Sequence, residues 1–222
     1  MGRAKEIIVK VIPASIAIPF VKKHHYSGKV VANSMLHFGV FFENELHGVM
    51  SYGASINKKG TINLVEGTKW NEFIELNRMA FDDVLPRNSE SRAISQSIKL
   101  IKKHAPHIKW IISFADGCQC GDGTIYRASN FVLTDIRKNE ALRINPKTGE
   151  KLHTITAYHR KIKDFKEWKP IQGYQLRYIY FIDKTYRQRL TVPEIPYSMI
   201  DEVGAGMYKG KKVTVKERHV NK

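Results

Sequence analysis

Cysteine is nearly missing from these 222 residues: only Cys118 and Cys120 occur, one residue apart. Neighbours that close are poor disulfide partners, so no disulfide framework is expected and the chain reads as reduced and cytosolic. No CxxC pair and no HExxH occurs, which removes the common zinc patterns. Long apolar runs are scarce too. The most apolar N-terminal stretch, "IIVKVIPASIAIPFV", is interrupted by Lys10, Pro13 and Pro19. It is too short for a membrane span and lacks the small-residue cleavage site of a signal peptide. Glu6 stands where the myristoylation pattern after Gly2 needs Ser or Thr. The phosphate loop GxxxxGK[ST], the dinucleotide fingerprint GxGxxG and the amine-binding Asp/Asn-Pro-Pro-Tyr/Phe stretch of ordinary adenine methyltransferases are all absent. No internal repeat or low-complexity segment is present.

Acidic residues are the other shortage. Asp and Glu number 21 against 37 Lys and Arg, leaving a net charge of +16 and a pI near 9.8. The excess is uneven: residues 1–126 hold 16 basic and 11 acidic side chains, residues 127–222 hold 21 and 10. Such a charge draws polyanions, and nucleic acid is the leading partner class, although basic small-molecule enzymes share the property. With 42% hydrophobic residues, the chain suits one domain, or one core with an extension.

What is present has a readable order. Pro19 is positioned to open a short helix, "PFVKKHHY", that stops at Ser27-Gly28. "LHFGVFFENELHGVMSYG" holds two aromatic and β-branched runs around Glu43-Asn44-Glu45, the pattern of a hairpin. Residues 54–71 read as a polar loop, and "EFIELNRMAF" (72–81) as a strand with Glu75 and Asn77 on its polar face. "SRAISQSIKLIKKHA" places Ile94, Ile98, Ile101 and Ala105 at helical spacing, with Asn88 and Ser89 as cap candidates and Pro106 as the stop. "KWIISFAD" is a continuous apolar run, as in a strand covered on both faces, and is followed by a glycine-rich loop, a short helix near 124–129 and the strand "FVLTD". Beyond residue 150, "TITAYH" and "YQLRYIYFI" both read as strands, and the segment after Tyr186 is basic and irregular. The sum is an α/β fold with a mixed central sheet flanked by helices. A division into a core over 1–160 and a basic, aromatic extension over 161–222 is expected.

A polar strand, a capped turn into an amphipathic helix, a buried strand and a short helix carrying Tyr126 follow the order of the GNAT acetyltransferase fold. More specifically, "HHYSG", "ELNRMAF", "SESRAIS", "SFADG" and "GTIYRASNFV" resemble, in order and spacing, the Mom family of bacteriophage DNA-modification proteins over about residues 20–160. The resemblance implies a GNAT-like fold and conversion of the N6 amine of adenine in double-stranded DNA to a carbamoylmethyl-amine. That modification shields phage DNA from restriction in the cytoplasm of the infected host. It also implies site residues at His25, Tyr26, Arg78, Asp116 and Tyr126, an acetyl-CoA-type donor, and bound iron with His25, Tyr26 and Asp116 as ligands. The turn "LPRNSESRA" occupies the coenzyme A pyrophosphate position, with Ser89, Ser91 and Arg92 where glycines are usual; a helix N-terminus favours an anion there. After Asp116 the family's histidine-containing loop is replaced by "GCQCGDG", leaving Cys118 and Cys120 as substitutes or bystanders.

Each residue has a plainer reading. Asp116 at the carboxyl end of a buried strand suits proton abstraction from N6, metal ligation, or simply capping a loop. Tyr126 suits donation to a leaving group, contact with the donor, or packing. Arg78 suits a phosphate clamp, orientation of Asp116, or a salt bridge to Glu75. The aromatic tail suits DNA contact or core completion. The alternative function is a GNAT-type N-acetyltransferase acting on a small-molecule or protein amine. The oligomeric state is not legible.

Overall fold

A computed structural model describes residues 2–118, 121–139, 141–208 and 211–213. Its central sheet has seven strands in the order β1-β2-β3-β4-β5-β10-β6. They are β1 (Ile8–Val11), β2 (Ser34–Phe42), β3 (Glu45–Gly53), β4 (Phe73–Phe81), β5 (Trp110–Asp116), β6 (Val132–Lys138) and β10 (Tyr174–Phe181). A separate small sheet, in the order β8-β7-β9, is made by β7 (Leu142–Ile144), β8 (Lys151–His153) and β9 (Lys169–Pro170). The expected hairpin is there. β2 and β3 pair antiparallel, and Glu43 (φ 51°) and Asn44 (φ 69°) both take the left-handed backbone that matches the strands' twist. The fold class read from the sequence, a mixed α/β sheet with helices, is the one observed.

By contacts the chain forms two compact units that interleave in sequence. One holds residues 1–114, 124–134 and 178–194; the other holds 115–123, 135–177 and 195–222. In the first, Trp110 stacks on Phe73 with ring centroids 4.7 Å apart and donates from Nε1 to Thr68 Oγ1 at 3.2 Å. Val65, Ile112, Ile179 and Phe181 complete that buried cluster. In the second, Leu152, Ala157, Phe165 and Trp168 form a small core of their own.

Several local expectations are corrected. The first helix, α1, spans Ala14–His24 with Pro13 at its N-cap, so Pro19 lies inside it and does not open it. Being the sixth helical residue, Pro19 leaves the Ser15 carbonyl without its i→i−4 donor. The polar loop 54–71 contains a short helix α2, Lys58–Ile62, whose first turn is capped by Asn57 Oδ1 accepting from Gly60 N–H at 3.1 Å. Helix α3 covers Ser89–His104, and Asn88 holds its N-cap place with a left-handed backbone (φ 70°) and no side-chain cap. Helix α4 is Thr124–Ala128. "TITAYH" is helix α5, Thr154–His159, and not a strand. Its β-branched residues are overruled at both ends. His153 Nδ1 accepts the Ile155 N–H at 3.2 Å, and Lys161 (φ 54°) turns the chain so that Ile162 N–H returns to the Ala157 carbonyl at 3.1 Å. "YQLRYIYFI" is a strand, and it inserts between β5 and β6.

Candidate active site

The site begins where β4 and β5 part. They run parallel and pair from Phe73–Trp110 to Leu76–Ser113, while β4 continues to Phe81 and β5 to Asp116. Within β4, Arg78 faces Ser51 of β3 and Leu76 faces Tyr52, so Asn77 is an extra residue, a β-bulge. Strict alternation would put Arg78 on the face opposite Glu75. The bulge returns it to the same face, a re-aiming that periodicity in the sequence does not reveal.

Arg78 is held on its own unit's backbone. Its Nε donates to the Lys29 carbonyl at 3.0 Å and its Nη1 to the Asn77 carbonyl at 2.6 Å. Burial pulls its pKa down, while Tyr26, Glu75 and Tyr126 oppose that shift. Glu75 is itself buried, and burial raises its pKa against the pull of the Ser55 hydroxyl and of Arg78. The surface salt bridge expected as Arg78's plain reading is thus replaced by a half-buried cation in range of a buried carboxyl group.

His25 ends α1, donating its backbone N–H to the Val21 carbonyl at 2.9 Å. Its Nδ1 accepts the Ser27 N–H at 3.2 Å and lies 2.8 Å from Ser27 Oγ. Accepting at Nδ1 leaves the proton of the neutral ring on Nε2. Burial and then the Arg78 charge push its pKa down to about 4, so the ring is neutral at physiological pH. Tyr26 lies against it at 4.2 Å between centroids and is half exposed.

Tyr126 is buried, packed on Phe131 and Tyr178 at 5.4 and 5.2 Å. Ser113 Oγ lies 2.7 Å from the Leu76 carbonyl and 2.8 Å from the Tyr126 hydroxyl. Ser113 Oγ donates in both contacts, its one proton shared between the Leu76 carbonyl and the Tyr126 hydroxyl. This chain of hydrogen bonds closes the last paired step of β4 and β5. His25, Tyr26, Arg78 and Tyr126 therefore gather around one guanidinium. Asp116 belongs to the other unit, where its Oδ1 accepts the Cys118 N–H at 2.9 Å. Cys118 is buried in that unit, its Sγ close against Gly173, which marks it as packing; Cys120 lies outside the described residues.

Sequence reasoning placed Glu75 and Asn77 on the strand's polar face without giving Asn77 a role, took Glu75 as a partner for Arg78, and passed over Ser113. Asn77 is buried, with Oδ1 accepting from Ser34 Oγ at 2.9 Å and Nδ2 without a partner among the described residues. The available signal was the presence of three polar residues, Glu75, Asn77 and Arg78, in a strand otherwise apolar. A small cavity of about 90 Å³ opens beside Arg78 between α1 and the sheet, lined also by Ser34, His37 and Ser51.

A cleft of about 540 Å³ lies along α3, lined by Ser91, Arg92, Lys99, Lys102 and, from the chain's start, Lys5. None of its lining residues is acidic. Arg92 donates from Nη2 to the Lys5 carbonyl at 3.3 Å, and its buried Nε has no partner among the described residues. Ser89 is fully buried and does not line the cleft. A guanidinium with an unspent donor, three ammonium groups and an uncapped helix start suit a diphosphate. The iron expectation finds less support. Among the described residues no group of three His, Cys, Asp or Glu side chains could hold a metal ion. No helix among them is long and apolar enough to cross a membrane.

Lowered His pKa values carry a stability consequence. His25 (about 4 when folded) and His37, also lowered by burial, bind protons more readily in the unfolded chain, whose imidazoles titrate near 6.5. Stability present above pH 6.5 is therefore lost as pH falls from 6.5 toward 4, by on the order of 2 kcal/mol from His25. Urea titrations across that range should show the loss, and a His25→Gln variant should show a shallower one.

The profile of the Mom protein family matches residues 6–199. The methylcarbamoylase mom of Escherichia phage Mu is 36% identical over 197 residues, covering 84% of this chain and 80% of that protein. Among solved structures, the spermidine/spermine N-acetyltransferase SpeG of Vibrio cholerae, in complex with manganese ions, superposes with a TM-score of 0.50 at 9% identity, over 83% of this chain and 98% of that one. At such identity the likeness is one of fold: an acetyltransferase sheet.

Proposed function

Because the chain belongs to the Mom protein family, we propose that it is a transferase that replaces one hydrogen on adenine N6 in double-stranded DNA with a carbamoylmethyl group, in the cytoplasm of an infected bacterium. The modified base resists host restriction. The observation that carries the reading is the gathering of family-motif residues His25, Tyr26 and Tyr126 around Arg78 where β4 and β5 part.

The chemistry follows from the amine. An exocyclic adenine amine is a weak nucleophile because its lone pair is delocalised into the ring, so the enzyme must hold it and take a proton as the N6–C bond forms. Asp116 is the acceptor for that proton. Its contact with Cys118 N–H occupies Oδ1 and orients the carboxylate. Arg78, fixed by two carbonyls, stabilises negative charge developing near it. Neutral His25 presents an Nε2–H donor. Tyr126 accepts from Ser113 through its hydroxyl and positions the β4–β5 opening. An adenine in a duplex must leave the stack to expose its amine, so the base is extruded into the site.

The cleft along α3 fits an acyl-coenzyme A: Ser91, Arg92, Lys5, Lys99 and Lys102 would hold its phosphates. Bound there, it would supply the two carbons of the added group. Among the described residues no donor cluster fits iron.

The test is mass spectrometry of nucleosides from bacterial DNA after expression of this protein. The expected product is a deoxyadenosine heavier by the C2H3NO of one carbamoylmethyl group. An unchanged nucleoside profile with soluble, expressed protein would overturn the reading. Acetylation of small amines instead would favour the plain acetyltransferase, which shares the fold but leaves the +16 charge unexplained.

A further inference from the structure

Residues 142–171 form a small β8-β7-β9 sheet closed by α5, packed on Leu152, Ala157, Phe165 and Trp168 with Ile162 beside them. Of this segment's charged residues, eight are basic and three acidic. Arg143 ties it together, donating from Nη1 to the Lys166 carbonyl at 2.8 Å and the Trp168 carbonyl at 3.0 Å. Helix α5 turns Ala157 inward and leaves Tyr158 80% and Ile155 62% exposed. Three residues apart, these two lie on one helical face. The Tyr158 ring is set edge-on against His159 at 5.8 Å. Close to this apolar pair in sequence, Lys151, Lys161, Lys163 and Lys166 are all exposed, whereas Arg160 is spent on Glu150 at 2.8 Å.

Two large exposed apolar side chains on one helical face form a surface suited to contact with a partner. In a segment of eight basic and three acidic residues, its complementary cover is a polyanion that also offers flat apolar faces. We propose that α5 is a DNA-docking wedge: Tyr158 and Ile155 press on the base stack while Lys161, Lys163 and their neighbours bind the flanking phosphates. Nucleic acid alone combines regularly spaced charge with stackable π-faces. Apolar side chains inserted at a base step unstack it and bend the duplex. The proposal rests on DNA being the substrate, and adds where the chain grips it. The capped ends of α5 and the Arg143 contacts hold the wedge rigid beforehand, so little ordering is lost on binding.

The experiment uses the full chain with a fluorescein-labelled 20-mer duplex, measuring dissociation constants by anisotropy over a series of salt concentrations. Two variants are compared with wild type, Ile155→Ser/Tyr158→Ala and Lys161→Gln/Lys163→Gln; all four positions are solvent-facing, and circular dichroism checks folding. The wedge variant should bind roughly tenfold or more weakly with an unchanged salt dependence. The lysine variant should lower the slope of log K against log salt by about two, one per lost phosphate contact. Nucleoside yield from host DNA should fall in both. Unchanged affinity and slope, with wild type modifying DNA normally, would overturn the proposal and point to a protein partner on this face. Wedge-dependent DNA binding with no modified nucleoside even from wild type would keep the surface and sink the proposed chemistry.

Discussion

Asp116→Asn is expected to fold normally and to lower the yield of modified adenine in host DNA by about a hundredfold or more, the usual scale for losing a positioned base. Asparagine is the discriminating choice. Its Oδ1 can still accept the Cys118 N–H that the carboxylate accepts now at 2.9 Å. A residue whose whole role is to cap the turn after β5 would survive this change. A proton acceptor would not, because a neutral amide has no basic oxygen at working pH. Full activity in Asp116→Asn, with Asp116→Ala destabilised, would reduce the residue to a cap. Loss in both, with Asp116→Asn as stable as wild type, would place it in the chemistry.

Arg78→Met is expected to cost about 3 kcal/mol of stability at neutral pH and to abolish modification. The guanidinium satisfies the Lys29 and Asn77 carbonyls and lies in electrostatic range of buried Glu75. Its removal leaves two acceptors short and one buried carboxylate without its cation. The sign of the pH dependence follows. Glu75 already titrates above 4.5 when folded, and without Arg78 it is pushed higher. A carboxyl whose folded pKa is raised destabilises the fold progressively as pH rises through the window from the unfolded value upward. The deficit of Arg78→Met relative to wild type should therefore be largest at neutral pH and shrink as pH falls toward 4.5. Adding Glu75→Gln should recover part of it. A deficit independent of pH, unrelieved by Glu75→Gln, would show that Glu75 and Arg78 do not interact.

Both predictions concern groups whose importance could be read only partly from the chain. Asp116 and Tyr126 stood out by sequence because each follows or precedes an obvious element boundary. Glu75 and Asn77 did not, because a buried carboxyl and an unpartnered amide are defined by what surrounds them. Arg78 lay between: its motif was visible, but the bulge that turns it toward Glu75 was not. The turn "LPRNSESRA" directed attention to the start of α3, but the cleft there is lined by Ser91 and Arg92 and not by Ser89, which is turned inward, and Lys5, Lys99 and Lys102 enter from elsewhere in the chain.

Local pattern by itself determined the hairpin at Glu43-Asn44, the amphipathic α3, the buried β5 and the short α4, since turn chemistry and periodicity act between near neighbours. Composition determined the large positive charge, and the spaced motifs carried the family. Only the tertiary structure decided that "YQLRYIYFI" inserts between β5 and β6, that β4 bulges at Asn77, and that "TITAYH" coils into a helix with Tyr158 facing water. Those outcomes depend on partners far away in sequence, or on caps at both ends that overrule β-propensity, and no local window contains them.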